Sequence, residues 1–271
     1  MEKITSGHAT LAAEVLGSGD PVVFLHANIA DSRMWAAQML AVSASNKAIA
    51  YDRRGFGQTF ANEENFSAVG DLMTVIGALS DDRSVILVGC SQGGLIAIDA
   101  ALQQPAKIRA LILVAPSVTG APPPASPPAV KALLDQMRDA ESQKDLDRLN
   151  LIKARIFLDG ALAAEGRVAG APRELFLEMH GHALRLPPAG RDLGAPPNYE
   201  RMREIAKPTL VMWGNLDLPY VQERALHVAS TIPKAEQHDL KDTAHLPSLD
   251  RPEELSRLIV AFIDKLSRSS G

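Results

Sequence analysis

A single cysteine, Cys90, stands among the 271 residues, so no internal disulfide can form and a reducing, cytoplasmic location is the expectation. The formal net charge is −4, which leaves no basic footprint for a phosphate backbone, and a nucleic-acid partner is not expected. No apolar run approaches the roughly 18 residues of a membrane span. Nor does any N-terminal stretch join a basic start to an apolar run of about 7 to 15 residues, so the chain reads as soluble and unexported, with no membrane partner. Internal repeats and heptads are missing, which removes a scaffold reading. His180 and His182 splay apart on a helix with no further ligand cluster beside them, so no metal is expected. The run Asp52-Arg53-Arg54-Gly55-Phe56-Gly57 lacks the Lys-Ser/Thr ending of a nucleotide cradle. No cofactor is called for.

What the chain does have is 46% hydrophobic composition, enough for one sizeable core, and a serine between two glycines in Gly89-Cys90-Ser91-Gln92-Gly93. Upstream, Ser84 to Val88 is a short β-branched apolar run; downstream, Leu95 to Leu102 reads as a buried helix stopped by Pro105. A strand, a sharp turn and a helix follow one another. A serine in that turn is pushed out of the backbone, the flanking glycines remove Cβ atoms that would collide, and the Gln92 N–H points from the helix N-terminus into the same space. That geometry suits acyl transfer. Cys90, its neighbour, is expected to point into the sheet and helix layer rather than to act as a nucleophile.

An acid and a histidine must follow in that order. Thr209 to Trp213 is a second apolar strand running into Gly214-Asn215-Leu216-Asp217, which makes Asp217 the acid candidate. Pro219 then opens a helical stretch through Ala229, Lys234 to Leu240 reads as a strand, and His245 falls on the loop after it. Three side chains suited to a Ser-His-Asp triad thus arrive on separate loops at one edge of a parallel sheet.

With those residues in view the chain resembles the α/β-hydrolase fold family, esterase and lactonase type. Four blocks carry the likeness: Leu25-His26-Ala27-Asn28 with Asp31 and Trp35, Tyr51 to Gly57, the Ser91 turn, and His245 with Asp250 and Pro252. The first block most resembles the branch of 3-oxoadipate enol-lactonases. The resemblance implies a mostly parallel central sheet flanked by helices, with an inserted helical cap. It also implies that the backbone N–H of Asn28 joins that of Gln92 in an oxyanion hole, although Ala27 stands where the family usually has glycine. His26 is expected to organise its loop and counts as a possible pocket residue. Arg54 occupies the family position in a structural loop at the rim.

Between two core strands lies a compositional break, Gly120-Ala121-Pro122-Pro123-Pro124-Ala125-Ser126-Pro127-Pro128, which cannot be a strand because proline donates no ladder hydrogen bond. Helical patterns follow over Val130 to Ala140, Asp145 to Leu158 and Arg173 to Leu184, and Gly190 to Pro197 breaks them. The expected organisation is a core of residues 1–120 and 206–271 with a cap of residues 121–205. Cap residues Phe157, Phe176 and Met179 are the expected pocket positions. The function indicated is a serine hydrolase of small to medium carboxylic esters or lactones. Carbon-carbon bond hydrolysis, perhydrolysis, or a ligand-binding receptor that uses the same pocket are the alternatives. The partner is a small molecule, and oligomeric state is not legible.

Overall fold

The computed structural model describes residues 1–268; residues 269–271, the last of the expected core segment, lie outside it. The described residues form eleven strands: β1 (Glu2–Ser6), β2 (Ala9–Leu16), β3 (Pro21–Leu25), β4 (Lys47–Tyr51), β5 (Phe60–Ala61), β6 (Glu64–Phe66), β7 (Val85–Cys90), β8 (Ile108–Val114), β9 (Gly190–Asp192), β10 (Thr209–Gly214) and β11 (Ala235–Leu240). The main sheet runs β1-β2-β4-β3-β7-β8-β10-β11. Its first two strands and β5 pair antiparallel, and every pair from β4 to β11 is parallel.

Helices cover both faces because the central strands are apolar on both sides. Val23 and Leu25 of β3, Leu87 of β7 and Val211 of β10 face a cluster shared with α2 (Ala68–Leu79), α3 (Gln92–Gln103) and α7 (Pro219–Thr231). Their alternate neighbours Val22, Phe24, Ile86, Val88 and Met212 face the opposite cluster, closed by α1 (Ala36–Val42), the one-turn α8 (Pro247–Asp250) and α9 (Pro252–Arg268). Strand order reverses between β3 and β7, and the crevice at the carboxyl ends of strands flanking such a reversal is where open α/β sheets bind ligands.

Helices α4 (Pro128–Ser142), α5 (Leu146–Lys153) and α6 (Ala171–Ala183) occupy the stretch between β8 and β10. The expected helix from Asp145 to Leu158 does not run through: after Lys153 it widens into a π-helical turn, Ala154–Gly160. Buried Asp159 holds that turn through Arg173 at 2.9 Å, and Arg167 bridges Leu158 O and Asp159 O to the Asp250 carboxylate. Gly190–Asp192 was expected only to break the helices; instead it pairs in parallel with Glu64–Phe66. Both partners are short, polar segments whose residues carry no alternating apolar signal.

Candidate active site

β7 ends at Cys90 and α3 begins at Gln92, so Ser91 makes the turn alone, at φ 54° and ψ −115°. A non-glycine residue there carries about 1 to 3 kcal/mol of strain, which its surroundings must over-determine. The Ser91 N–H donates to Val114 O, and Ser91 O accepts from the N–H groups of Leu95 and Ser117, each at 3.0 Å. The glycines serve close backbone approach: a Cβ on Gly89 would lie 2.4 Å from Gly93 O, and one on Gly93 would lie 2.2 Å from Leu25 O. Those collisions involve the first turn of α3 and the end of β3, rather than the serine itself.

His245 and Asp217 are both buried, and His245 Nδ1 lies 2.6 Å from Asp217 Oδ2. The other carboxylate oxygen, Oδ1, accepts the Leu218 N–H at 2.7 Å, so the carboxylate cannot rotate without losing a bond at the start of α7. His245 is fixed from the opposite side as well. Its N–H donates to Phe157 O at 3.0 Å, and the Phe157 ring lies 5.2 Å from the imidazole. The π-helical turn thus reaches back and orients the histidine. The Ser91 hydroxyl lies 3.4 Å from Ser117 Oγ, and among the described residues that is its side-chain hydrogen-bond neighbour.

A cavity of about 440 Å³ opens over Ser91 and His245, with Asn28, Gln92, Phe157, Lys153, Tyr220 and Arg224 in its wall. The backbone N–H groups of Asn28 and Gln92 have no acceptor among the described residues. One follows β3 and the other opens α3, so the two donors flank the sheet's reversal point, with the positive end of the α3 dipole behind Gln92. Such donors are free to meet a developing oxyanion.

Of the expected pocket residues, Phe157 lines this cavity and the others do not. Phe176 and Met179 are fully buried in the core cluster with Phe24 and Leu158, because their helix α6 packs against α5 and the π-helical turn. His26 is buried too, its Nε2 accepting the Arg53 N–H at 3.0 Å. That bond places the ring proton on Nδ1, which donates to Ala27 O at 2.8 Å. Burial, then the neighbouring Arg53, hold its pKa well below the ordinary histidine range. A neutral His26 ties the loops after β3 and β4 together. In the same loop Asp52 accepts the N–H groups of Ser32 and Gln58, and Arg54 pairs with Asp71 at 2.8 Å. Cys90 is buried with Sγ 3.6 Å from His245 O, and burial raises its pKa. His180 bonds Asn150 and His182 bonds Gly57 O, in different directions.

Sequence reading missed Ser117, Lys153, Tyr220 and Arg224 as residues of the site. Ser117 carried a signal, since it follows the carboxyl end of β8, next to the nucleophile strand. The other three lie on helices, where only packing decides which face meets the cavity.

A serine on a strained strand-to-helix turn, a histidine paired with a buried carboxylate and two free amides at the switch point of a parallel sheet define an α/β-hydrolase enzyme. The chain belongs to the alpha/beta hydrolase family, whose profile matches residues 22–258. Pimeloyl-[acyl-carrier protein] methyl ester esterase of Nitrosospira multiformis is 24% identical over 94% of this chain and 99% of that protein. Bifunctional epoxide hydrolase 2 of Sus scrofa is 24% identical over 94% of this chain, which spans only 53% of that longer protein. Among solved structures, Est816, described as an N-acyl homoserine lactone degrading enzyme, superposes with a TM-score of 0.76 at 23% identity, covering 96% of this chain and all (100%) of that one.

Proposed function

We propose that the protein hydrolyses small to medium carboxylic esters or lactones through Ser91, His245 and Asp217. The observation that carries this reading is the 2.6 Å contact between His245 Nδ1 and the buried Asp217 Oδ2, with His245 in the wall of the cavity that holds Ser91. With Nδ1 donating to Asp217, Nε2 is left with a lone pair and serves as the base. On substrate binding the Ser91 hydroxyl turns from Ser117 to Nε2 and gives up its proton as Oγ attacks the carbonyl carbon. The carbonyl electron pair moves onto oxygen, where the Asn28 and Gln92 N–H groups receive it. As the intermediate collapses, the imidazolium returns the proton to the departing alkoxide, leaving an acyl-Ser91. Water repeats the sequence and releases the acid. Asp217 stabilises the imidazolium in both halves.

Residues 121–205 are read as a cap and residues 1–120 with 206–271 as the catalytic core. Supporting this, the segment supplies Met137, Lys153 and Phe157 to the cavity wall, while the triad comes from loops outside it. A cytoplasmic location is part of the same reading, supported by the one free cysteine, Cys90; no described helix is long and apolar enough to cross a membrane. The test is a short-chain activated ester followed through many equivalents of product. Sustained turnover that disappears in Ser91→Ala is expected; a burst of one equivalent, or an active Ser91→Ala variant, contradicts the proposal.

A further inference from the structure

The cavity over Ser91 is lined by two cations, Lys153 and Arg224, and by no carboxylate. Among the described residues neither cation has an ion-pair partner, although the structure pairs most of its other buried or half-buried arginines with Asp or Glu. Lys153 makes no side-chain hydrogen bond, and Arg224 reaches only Pro122 O, at 3.5 Å, while lying 4.9 Å over the Tyr220 ring. A half-buried ammonium outside any ion pair loses hydration that the more distant Glu141 only partly offsets, and burial lowers the Lys153 pKa accordingly. Asp217, the nearest acid to the chemistry, is committed to His245 and to the Leu218 N–H.

Both cations sit on segments fastened to the proposed triad. Lys153 ends α5 and leads directly into the turn whose Phe157 O accepts the His245 N–H. Arg224 follows Tyr220 by one helical turn on α7, whose first residues are held by Asp217 Oδ1. Their positions relative to Ser91 are therefore set by the same bonds that orient the histidine and the acid. Besides the polar groups around Ser91, the wall holds the apolar side chains Ile29, Leu95, Met137 and Val221.

We infer that the preferred substrate carries a free carboxylate, which Lys153 binds and Arg224 assists, so that the enzyme cleaves esters or lactones whose acyl or leaving group bears an ionised carboxylate. This deepens the proposed hydrolysis and rests on it. The negative substrate supplies the counter-charge that the cavity lacks, and the apolar wall receives the short chain between carboxylate and ester.

The test uses two matched pairs. Monomethyl glutarate against methyl pentanoate puts the carboxylate on the acyl side, and 4-carboxyphenyl acetate against phenyl acetate puts it on the leaving group. In at least one pair kcat/KM should favour the anion by about tenfold or more, the effect of one charge-assisted hydrogen bond, and the ratio should shrink towards about 0.5 M salt. Lys153→Gln should collapse that ratio whatever it does to the neutral rate, and Lys153→Arg should restore most of it. Circular dichroism identifies a variant that has lost its fold, in which case the salt dependence of the wild-type ratio decides. Ser91-dependent cleavage with no anionic preference in either pair overturns this inference and leaves the hydrolase reading standing. An equal ratio in wild type and a folded Lys153→Gln also overturns the role of Lys153. Failure to cleave any of the four esters overturns both.

Discussion

Replacing Asp217 by asparagine changes one atom's charge and donor character, and the structure dictates how the new amide must sit. The Leu218 N–H points at Oδ1 from 2.7 Å and requires an acceptor there, so the amide oxygen takes that place and the NH2 group faces His245 Nδ1. A donor opposite Nδ1 makes that nitrogen the acceptor and moves the ring proton to Nε2, the nitrogen that must take the proton from Ser91. The reverse amide rotamer would restore the tautomer but would set NH2 against the Leu218 N–H at the buried start of α7. The active tautomer therefore becomes a minor species, and the imidazolium formed during reaction loses its counter-charge. A fall in kcat of about 10⁴ is expected, or about 5.5 kcal/mol of barrier. Because the two residues are nearly isosteric, unfolding by denaturant should move little. The measurement is single-turnover acylation with an activated ester, beside the unfolding midpoint. A folded Asp217→Asn protein acylated within about tenfold of wild type would refute the assignment and point to another carboxylate, Asp239 near the end of β11 or Asp242 on the loop after it.

Ser91→Ala and Ser91→Gly should both be inactive, but glycine relieves the positive φ of the turn, so Ser91→Gly should unfold at higher denaturant than Ser91→Ala; equal midpoints would argue that the turn stores no strain. Phe176→Ala empties a fully buried site and should cost about 3 to 5 kcal/mol in unfolding free energy, whereas Phe157→Ala should shift relative kcat/KM between short and bulky esters. If the two substitutions behave alike, core and wall have been misassigned. His180, buried against Asn150, has its pKa lowered to about 3, chiefly by burial. Below pH 6.5 the unfolded chain takes up a proton that the folded one refuses, so this group removes stability as pH falls, by up to about 1.4 kcal/mol per unit until pH nears 3. Denaturant titrations from pH 7 to pH 4 should show a shallower loss for His180→Gln, and parallel curves would contradict the shift.

Much of the site was legible along the chain because its signals are local. The strand before Ser91, the helix after it and the two glycines follow from β-branched runs and from close backbone contacts that no Cβ would survive. Asp217 and His245 were legible because each closes a short apolar or extended segment, and parallel strands deliver their carboxyl ends to one edge of the sheet. Tertiary structure decided the rest. Whether Phe157 or Phe176 meets the cavity depends on which side of each helix packs, and both lie in similar apolar patterns. The π-helical turn at Ala154–Gly160 arises from Arg155, Arg167 and Asp159 bonds that span loops, with no periodicity to announce it. Pairing of Glu64–Phe66 with Gly190–Asp192 joins segments over a hundred residues apart through backbone bonds, with Asp192 Oδ1 accepting the Ala68 N–H beside them. Lys153 and Arg224 look like any solvated helix charges in one dimension, and only the fold, by turning them into a cavity without a carboxylate, gives their charge something to do.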